Sequence, residues 1–139
     1  MATKTKRITK PRITAAQRKD WRSLPLNEWN TATIHAYFIE MNRELFGVDE
    51  YLPLRNWTIE RALIKRALTE HGAEVLKRAF DECFRTYRPT REYPLLTAGF
   101  AISYRINSMI PRIKAEIERE QTDATVSESV DYGELASWL

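Results

Sequence analysis

The chain predicts an all-α fold: a compact bundle of about five helices with a flexible basic N-terminal arm and an acidic C-terminal tail. Three observations predict it. Apolar residues recur every three or four positions in several segments, and strand-type alternation persists nowhere. Only four glycines occur in 139 residues, which favours helices joined by a few sharp stops over a β-sandwich or a Gly-rich phosphate-binding fold. Charge is segregated: residues 1–22 hold eight bases against one acid, whereas residues 120–139 hold five acids and no base. With 43% apolar and 29% charged residues, one domain has material for both a core and a hydrated surface. The expected organisation is a disordered arm over 1–13, a helical domain over 14–120 and a flexible tail over 121–139.

Each element has a local reason. The arm lacks apolar periodicity and contains Pro11, the pattern of a segment disordered when free. Thr14 is placed to cap a short helix over 15–24, which Pro25 ends. Ile34, Tyr37, Phe38, Met41 and Leu45 then mark one buried face of a second helix, with Thr31 or Thr33 as its cap and Gly47 as a left-handed stop. Thr58 opens a third helix over 59–71, with Ile59, Leu63, Ala67 and Leu68 on one side and Gly72 at its end. The fourth, over 73–87, carries Val75, Leu76, Ala79, Phe80, Cys83 and Phe84, and the short connection at Gly72 predicts a hairpin with the third. Thr97 caps a fifth helix over 98–120. There Ile106, Ile110, Ile113 and Ile117 keep one stripe, as core or as a dimer seam, while Pro111 introduces a kink or a break.

Reactive chemistry is not suggested. His35 and His71 fall on separate helices with no acid at zinc-site spacing, and His71 sits where a helix C-terminus favours partial positive charge. No phosphate-binding or dinucleotide-binding glycine motif occurs, and Ser103 and Ser108 lack a nucleophile-elbow context. Glu40 and Glu44 share a helix face with the charge to bind a divalent ion, against the ordinary reading of a solvated face with Arg43 nearby. The single Cys83, among apolar neighbours, reads as a small core residue. A binding protein without catalytic residues, metal or cofactor is expected. No stretch approaches the ~20 apolar residues of a membrane span, and the basic N-terminus lacks the apolar core of a signal peptide. A cytoplasmic location with no membrane partner follows as the expectation.

Charge suggests the ligand. Lys4, Lys6, Arg7, Lys10, Arg12, Arg18, Lys19 and Arg22 form a cationic leader suited to phosphates, whose release of counterions makes binding salt-dependent. Arg85, Arg88, Arg91 and Arg105 form a second basic cluster, interleaved with Tyr87 and Tyr93, as stacking on unpaired bases requires. Arg112, seven residues after Arg105, falls on a similar side. The competing readings are a solubilising leader, and surface ion pairing by the cluster. The terminal YGELASWL places Tyr132, Leu135, Trp138 and Leu139 in acidic surroundings, as a motif that docks on a protein partner or folds back on its own domain. Leader and tail also have the charges to pair with each other.

Four segments carry a resemblance. They are WNTATIHAYFIEMNRELFG, NWTIERALIKRAL, GAEVLKRAFDECF and YPLLTAGFAISYRIN, in that order between Trp29 and about Ile113. Their sequence of aromatic and apolar anchors resembles small phage replication-associated helical proteins, the replisome organisers and helicase-loading factors. With no ATPase motif, a loader of this kind is of the non-ATPase type. The basic leader is outside the shared pattern. The resemblance implies a DNA-binding accessory protein of phage or mobile-element replication, bridging DNA and a replication protein such as the helicase, in the host cytoplasm. The alternatives are a transcriptional regulator or small packaging subunit and, from another class, a protein-binding inhibitor of a host enzyme. A helix-turn-helix around Gly72 is disfavoured, because the helix after it is too apolar for a recognition helix.

Overall fold

The computed structural model describes the backbone of residues 12–138 and the side chains of residues 12–126. Among these residues there are six α-helices and no strand: α1 (Ala15–Lys19), α2 (Thr31–Phe46), α3 (Trp57–His71), α4 (Ala73–Thr86), α5 (Ala98–Phe100) and α6 (Ile110–Trp138). A single 3₁₀ turn, Leu26–Glu28, joins α1 to α2. A π-helical turn, Ala101–Arg105, and a second 3₁₀ turn, Ile106–Ser108, carry α5 into α6.

Local chemistry explains most boundaries. Thr14 caps α1 as its sequence predicts, with Gln17 reaching back to close a capping box. Asn30 caps α2, and the Thr33 hydroxyl returns the bond to the Asn30 N–H; Thr31 and Thr33 are not themselves the cap. Asn56 rather than Thr58 caps α3. Gly47 and Gly72 adopt φ of 68° and 83°, a region that costs a side chain and that glycine occupies freely, so both helices stop there. The α3–α4 hairpin expected from the Gly72 connection is present.

The core is an aromatic stack overlaid by α4. All six residues of the predicted α4 face are buried. Phe80 lies 4.8 Å from Phe38, ring centre to ring centre, and Trp21 lies 5.0 Å from Tyr37, both edge to face. Ile106, Ile110 and Ile113 are buried within the chain, which assigns that stripe to the core and not to a dimer seam.

Four elements depart from their predicted form. The first helix ends at Lys19, not residue 24, because Asp20 leaves helical conformation and Trp21 turns into the core. Leu45 is half exposed, while Phe46 packs against Phe84 and the polar Asn42 is fully buried. The buried row of α3 is Glu60, Ile64 and Ala67, leaving Ile59 exposed. The expected fifth helix is broken, but upstream of Pro111, in the π and 3₁₀ turns. Pro111 occupies the first turn of α6, where its missing N–H has no helical acceptor to lose. The backbone of α6 has no end at residue 120.

Candidate nucleic-acid interface

The site is organised by a buried carboxylate. Glu60 has no exposed surface and accepts four hydrogen bonds. Its Oε1 accepts from His35 Nε2 at 2.9 Å and from the Tyr51 hydroxyl. Its Oε2 accepts from the Leu54 and Gly99 N–H groups at 2.8 and 3.0 Å. The Tyr51 hydroxyl in turn accepts from the Ala98 N–H at 2.9 Å. Burial pushes the Glu60 carboxyl up, but bonds from His35, Tyr51, Leu54 and Gly99 outweigh it and hold the group below its ordinary value. Burial, with the charge of Glu60 beside it, pushes the Tyr51 hydroxyl well above the ordinary tyrosine range. The ionised Glu60 has no proton to give, so His35 donates from Nε2. One side chain thus ties the 48–56 loop, α2, α3 and the start of α5 together.

A second polar clamp holds the loop between α4 and α5. Asn42 Oδ1 accepts from the Leu96 N–H, while its Nδ2 donates to the Leu96 and Phe38 carbonyls, each at 2.8 Å. Across that loop the Tyr87 hydroxyl donates to the Tyr93 carbonyl at 2.7 Å. Gly99 is required by proximity: an added Cβ would lie 2.8 Å from Leu54 Cβ and 3.0 Å from Glu60 Oε2.

Between the two held segments lies a groove of about 560 Å³, walled by residues 52–55 on one side and the 87–97 loop on the other, with Phe100 at its floor. Leu52 and Tyr93 stand 60% and 68% exposed on its rim. Tyr104, 72% exposed, continues the aromatic surface from Phe100 at a centroid distance of 5.4 Å. Arg55 and Arg88 line the groove, opposed by Glu92. Arg55 carries φ of 65°, in the left-handed region where a non-glycine residue is strained, and it does so at the groove wall.

The second basic cluster therefore surrounds a defined surface. Arg88 lines the groove, and Arg91 is exposed on the same loop. Arg105 lies 5.4 Å over the Tyr87 ring and 5.9 Å over Phe100, a cation–π position that keeps its charge beside the groove. Arg85 is exposed and only 3.8 Å from Glu82, whose oxygens are both taken at 2.7 Å by Arg112. The Tyr87 ring is enclosed by Phe46, Phe100 and Arg105, so Tyr93 and Tyr104 are the rings left open for stacking.

The leader divides. Arg18 donates to the Glu28 carbonyl, and Arg22 pairs with Glu40 and Glu44 at 3.1 and 2.8 Å while covering Trp21. These two are structural in the fold, and Arg22 is the cation that Glu40 and Glu44 share. Arg12 and Lys19 are exposed. Lys4, Lys6, Arg7, Lys10 and Leu139, and the side chains of Tyr132, Leu135 and Trp138, lie outside the described residues.

Glu60, Asn42, Arg55 and Tyr104 were not singled out by sequence. Glu60 had a signal: with Ile64, Ala67 and His71 it falls at i, i+4, i+7 and i+11, a charge in core register. Cys83 is fully buried, with its thiol pushed up to about 11 by burial, and behaves as a core residue. No helix among the described residues is long and apolar enough to cross a membrane. No family model, curated protein or solved structure matches the chain.

Proposed function

We propose that the chain is a nucleic-acid-binding accessory protein acting in DNA replication of a phage or mobile element, bridging DNA to a replication protein such as the helicase. The observation that carries the DNA half is the groove. Two exposed tyrosines and an exposed leucine lie among Arg55, Arg88, Arg91 and Arg105, and residues 85–105 hold four arginines against one acid. Aromatic faces with flexible cations suit unpaired bases and their phosphates, and each stacked base contributes about 1–3 kcal/mol. The leader adds sequence-independent phosphate attraction. The acidic tail with its terminal apolar motif supplies the protein-binding half. The replication setting comes from the order of anchors between Trp29 and Ile113.

The test is fluorescence anisotropy with a labelled oligothymidine and a duplex of equal length, each at two salt concentrations. The proposal expects tighter binding of the single strand, with log affinity falling linearly as log salt rises. Removal of residues 1–11 should weaken binding and reduce that slope. The cut stops there because Trp21 belongs to the core. Binding that ignores salt, or that is equal in Tyr93→Ala and Tyr104→Ala variants, refutes the assignment. For the second half, recovery of a replication protein is compared with and without residues 132–139, and unchanged recovery removes the tail from the reading.

A further inference from the structure

A separate cleft of about 520 Å³ opens between α1, α2 and α3, on the His35 side of Glu60. Three cations line it from three different helices: Lys19 from α1, Arg43 from α2 and Arg61 from α3. Lys19 and Arg61 make no ion pair among the described residues, and Arg43 has only the exposed Asp49 at 3.8 Å. The carboxylate in the lining, Glu40, is already engaged: Arg22, which it shares with Glu44, lies 3.1 Å from Oε1, and the Trp21 indole N–H donates to Oε2 at 3.0 Å. At the back sits His35, its side chain 9% exposed. Its Nε2 is committed to Glu60, and its Nδ1 has no hydrogen-bond partner among the described residues. Trp57, 40% exposed, packs edge to face against the imidazole at 5.0 Å and forms one wall.

We infer that this cleft binds a phosphate group. The arrangement has what a phosphate needs: donors converging from several elements, a net positive lining, and an imidazole held in one orientation by a buried carboxylate. His35 with its proton on Nε2 presents Nδ1 to the ligand. Glu60 holds the ring in that orientation from behind. Lys19 and Arg61 are exposed cations of the lining. Trp57 offers an apolar face to whatever the phosphate is attached to. Two sources share this chemistry, a strand-terminal phosphate and a backbone phosphodiester of a bound nucleic acid. The inference does not depend on the groove, since inorganic phosphate alone is a sufficient probe.

The experiment is a two-dimensional amide and indole NMR titration of the full chain, with inorganic phosphate and with chloride at matched ionic strength. Phosphate should shift the Trp57 indole and the His35 and Arg61 amides saturably, while chloride leaves them in place. In a Lys19→Ala/Arg61→Ala variant, whose substitutions fall on exposed side chains, the apparent affinity should fall at least about tenfold, one lost charge-assisted contact being sufficient for that. Tyr93→Ala should leave phosphate binding intact even where it abolishes oligonucleotide binding, so failure of the groove and failure of the cleft are distinguishable. Two further probes, an oligothymidine with a 5′-phosphate and the same strand with a 5′-hydroxyl, separate the sources. Preference for the first assigns a terminal phosphate. Equal shifts at the cleft assign the backbone. Absence of phosphate-specific shifts at these residues, or shifts that persist unchanged in the double variant, overturns the inference.

Discussion

Glu60 and Tyr93 violate the ordinary partition of residues in opposite directions. One is a carboxylate with no exposed surface; the other is a large aromatic residue standing 68% in solvent. Buried charges are rare unless every lone pair is used, and Glu60 uses its lone pairs on four donors. Exposed aromatic residues are commonplace singly, but Tyr93 shares its surface with Leu52 and Tyr104. The inner site is over-determined and the outer one is unsatisfied. The lesson is a division of labour: the polar interior fixes the loops, and the loops hold an apolar, cationic surface open to solvent.

The comparison breaks most completely if the interior is removed. Glu60→Ala leaves His35, Tyr51 and two N–H groups without their acceptor, and should cost about 3–5 kcal/mol in urea denaturation, the range for breaking a buried charged network. A loss under about 1 kcal/mol would mean that water replaces the carboxylate and that the hub organises nothing. Gly99→Ala comes next. Its Cβ meets Leu54 and Glu60 too closely, and a cost of about 1–3 kcal/mol is expected from thermal unfolding, as for other overpacked sites.

Acid sharpens the contrast. The Glu60 carboxyl is held below its ordinary value, so its contribution is complete above the unfolded-state pKa of about 4.3 and is lost as pH falls through the lower folded value. The urea midpoint should therefore drop as pH falls below about 4.3, and Glu60→Gln should flatten that drop. The tyrosines have the opposite sign. Tyr37 and Tyr51 are both raised, chiefly by burial, so their contribution is present below about pH 10 and disappears as pH rises further.

The smallest stability effect belongs to the outer region. Tyr93→Ala and Tyr104→Ala should shift unfolding by no more than about 0.5 kcal/mol, as surface substitutions do. Each should weaken oligothymidine binding by about 1–3 kcal/mol in anisotropy titrations. A stability loss as large as that of Gly99→Ala would instead make these rings part of the packing.

How much of this was legible in sequence depends on what carried each feature. The α4 face was readable residue by residue, because six apolar side chains at helical spacing leave one solution. The α2 face was readable from Ile34 to Met41 but not at Leu45. Beyond Phe38, the buried partner of the Leu96 backbone is Asn42, which apolar counting passes over in favour of Leu45. The same blindness misplaced the first half of the α3 face, since Glu60 and Ile64 rather than Ile59 and Leu63 are buried, while Ala67 was read correctly. Pro111 signalled a discontinuity but not its place, because proline in the first helical turn is compatible with a helix start. Of the candidate site, Arg88, Arg91 and Arg105 were found from charge and aromatic spacing. Arg18 and Arg22 carry the same charge but are engaged by the fold, through acceptors ten and eighteen or more residues away. The groove and the cleft depend on segments distant in the chain, and no local pattern reports them.

The placement of the two carboxylate oxygens of Glu60 has one further consequence. Oε1 holds His35, at the back of the cleft, and Oε2 holds Leu54, in the groove wall. One rigid carboxylate is thus shared by both cavities. A ligand that tightens or loosens the grip on one oxygen changes the free energy available at the other. Were both cavities to bind ligands through this carboxylate, thermodynamic reciprocity would require each to return the other's effect by the same factor, and Glu60 would be a point of coupling and not merely a brace.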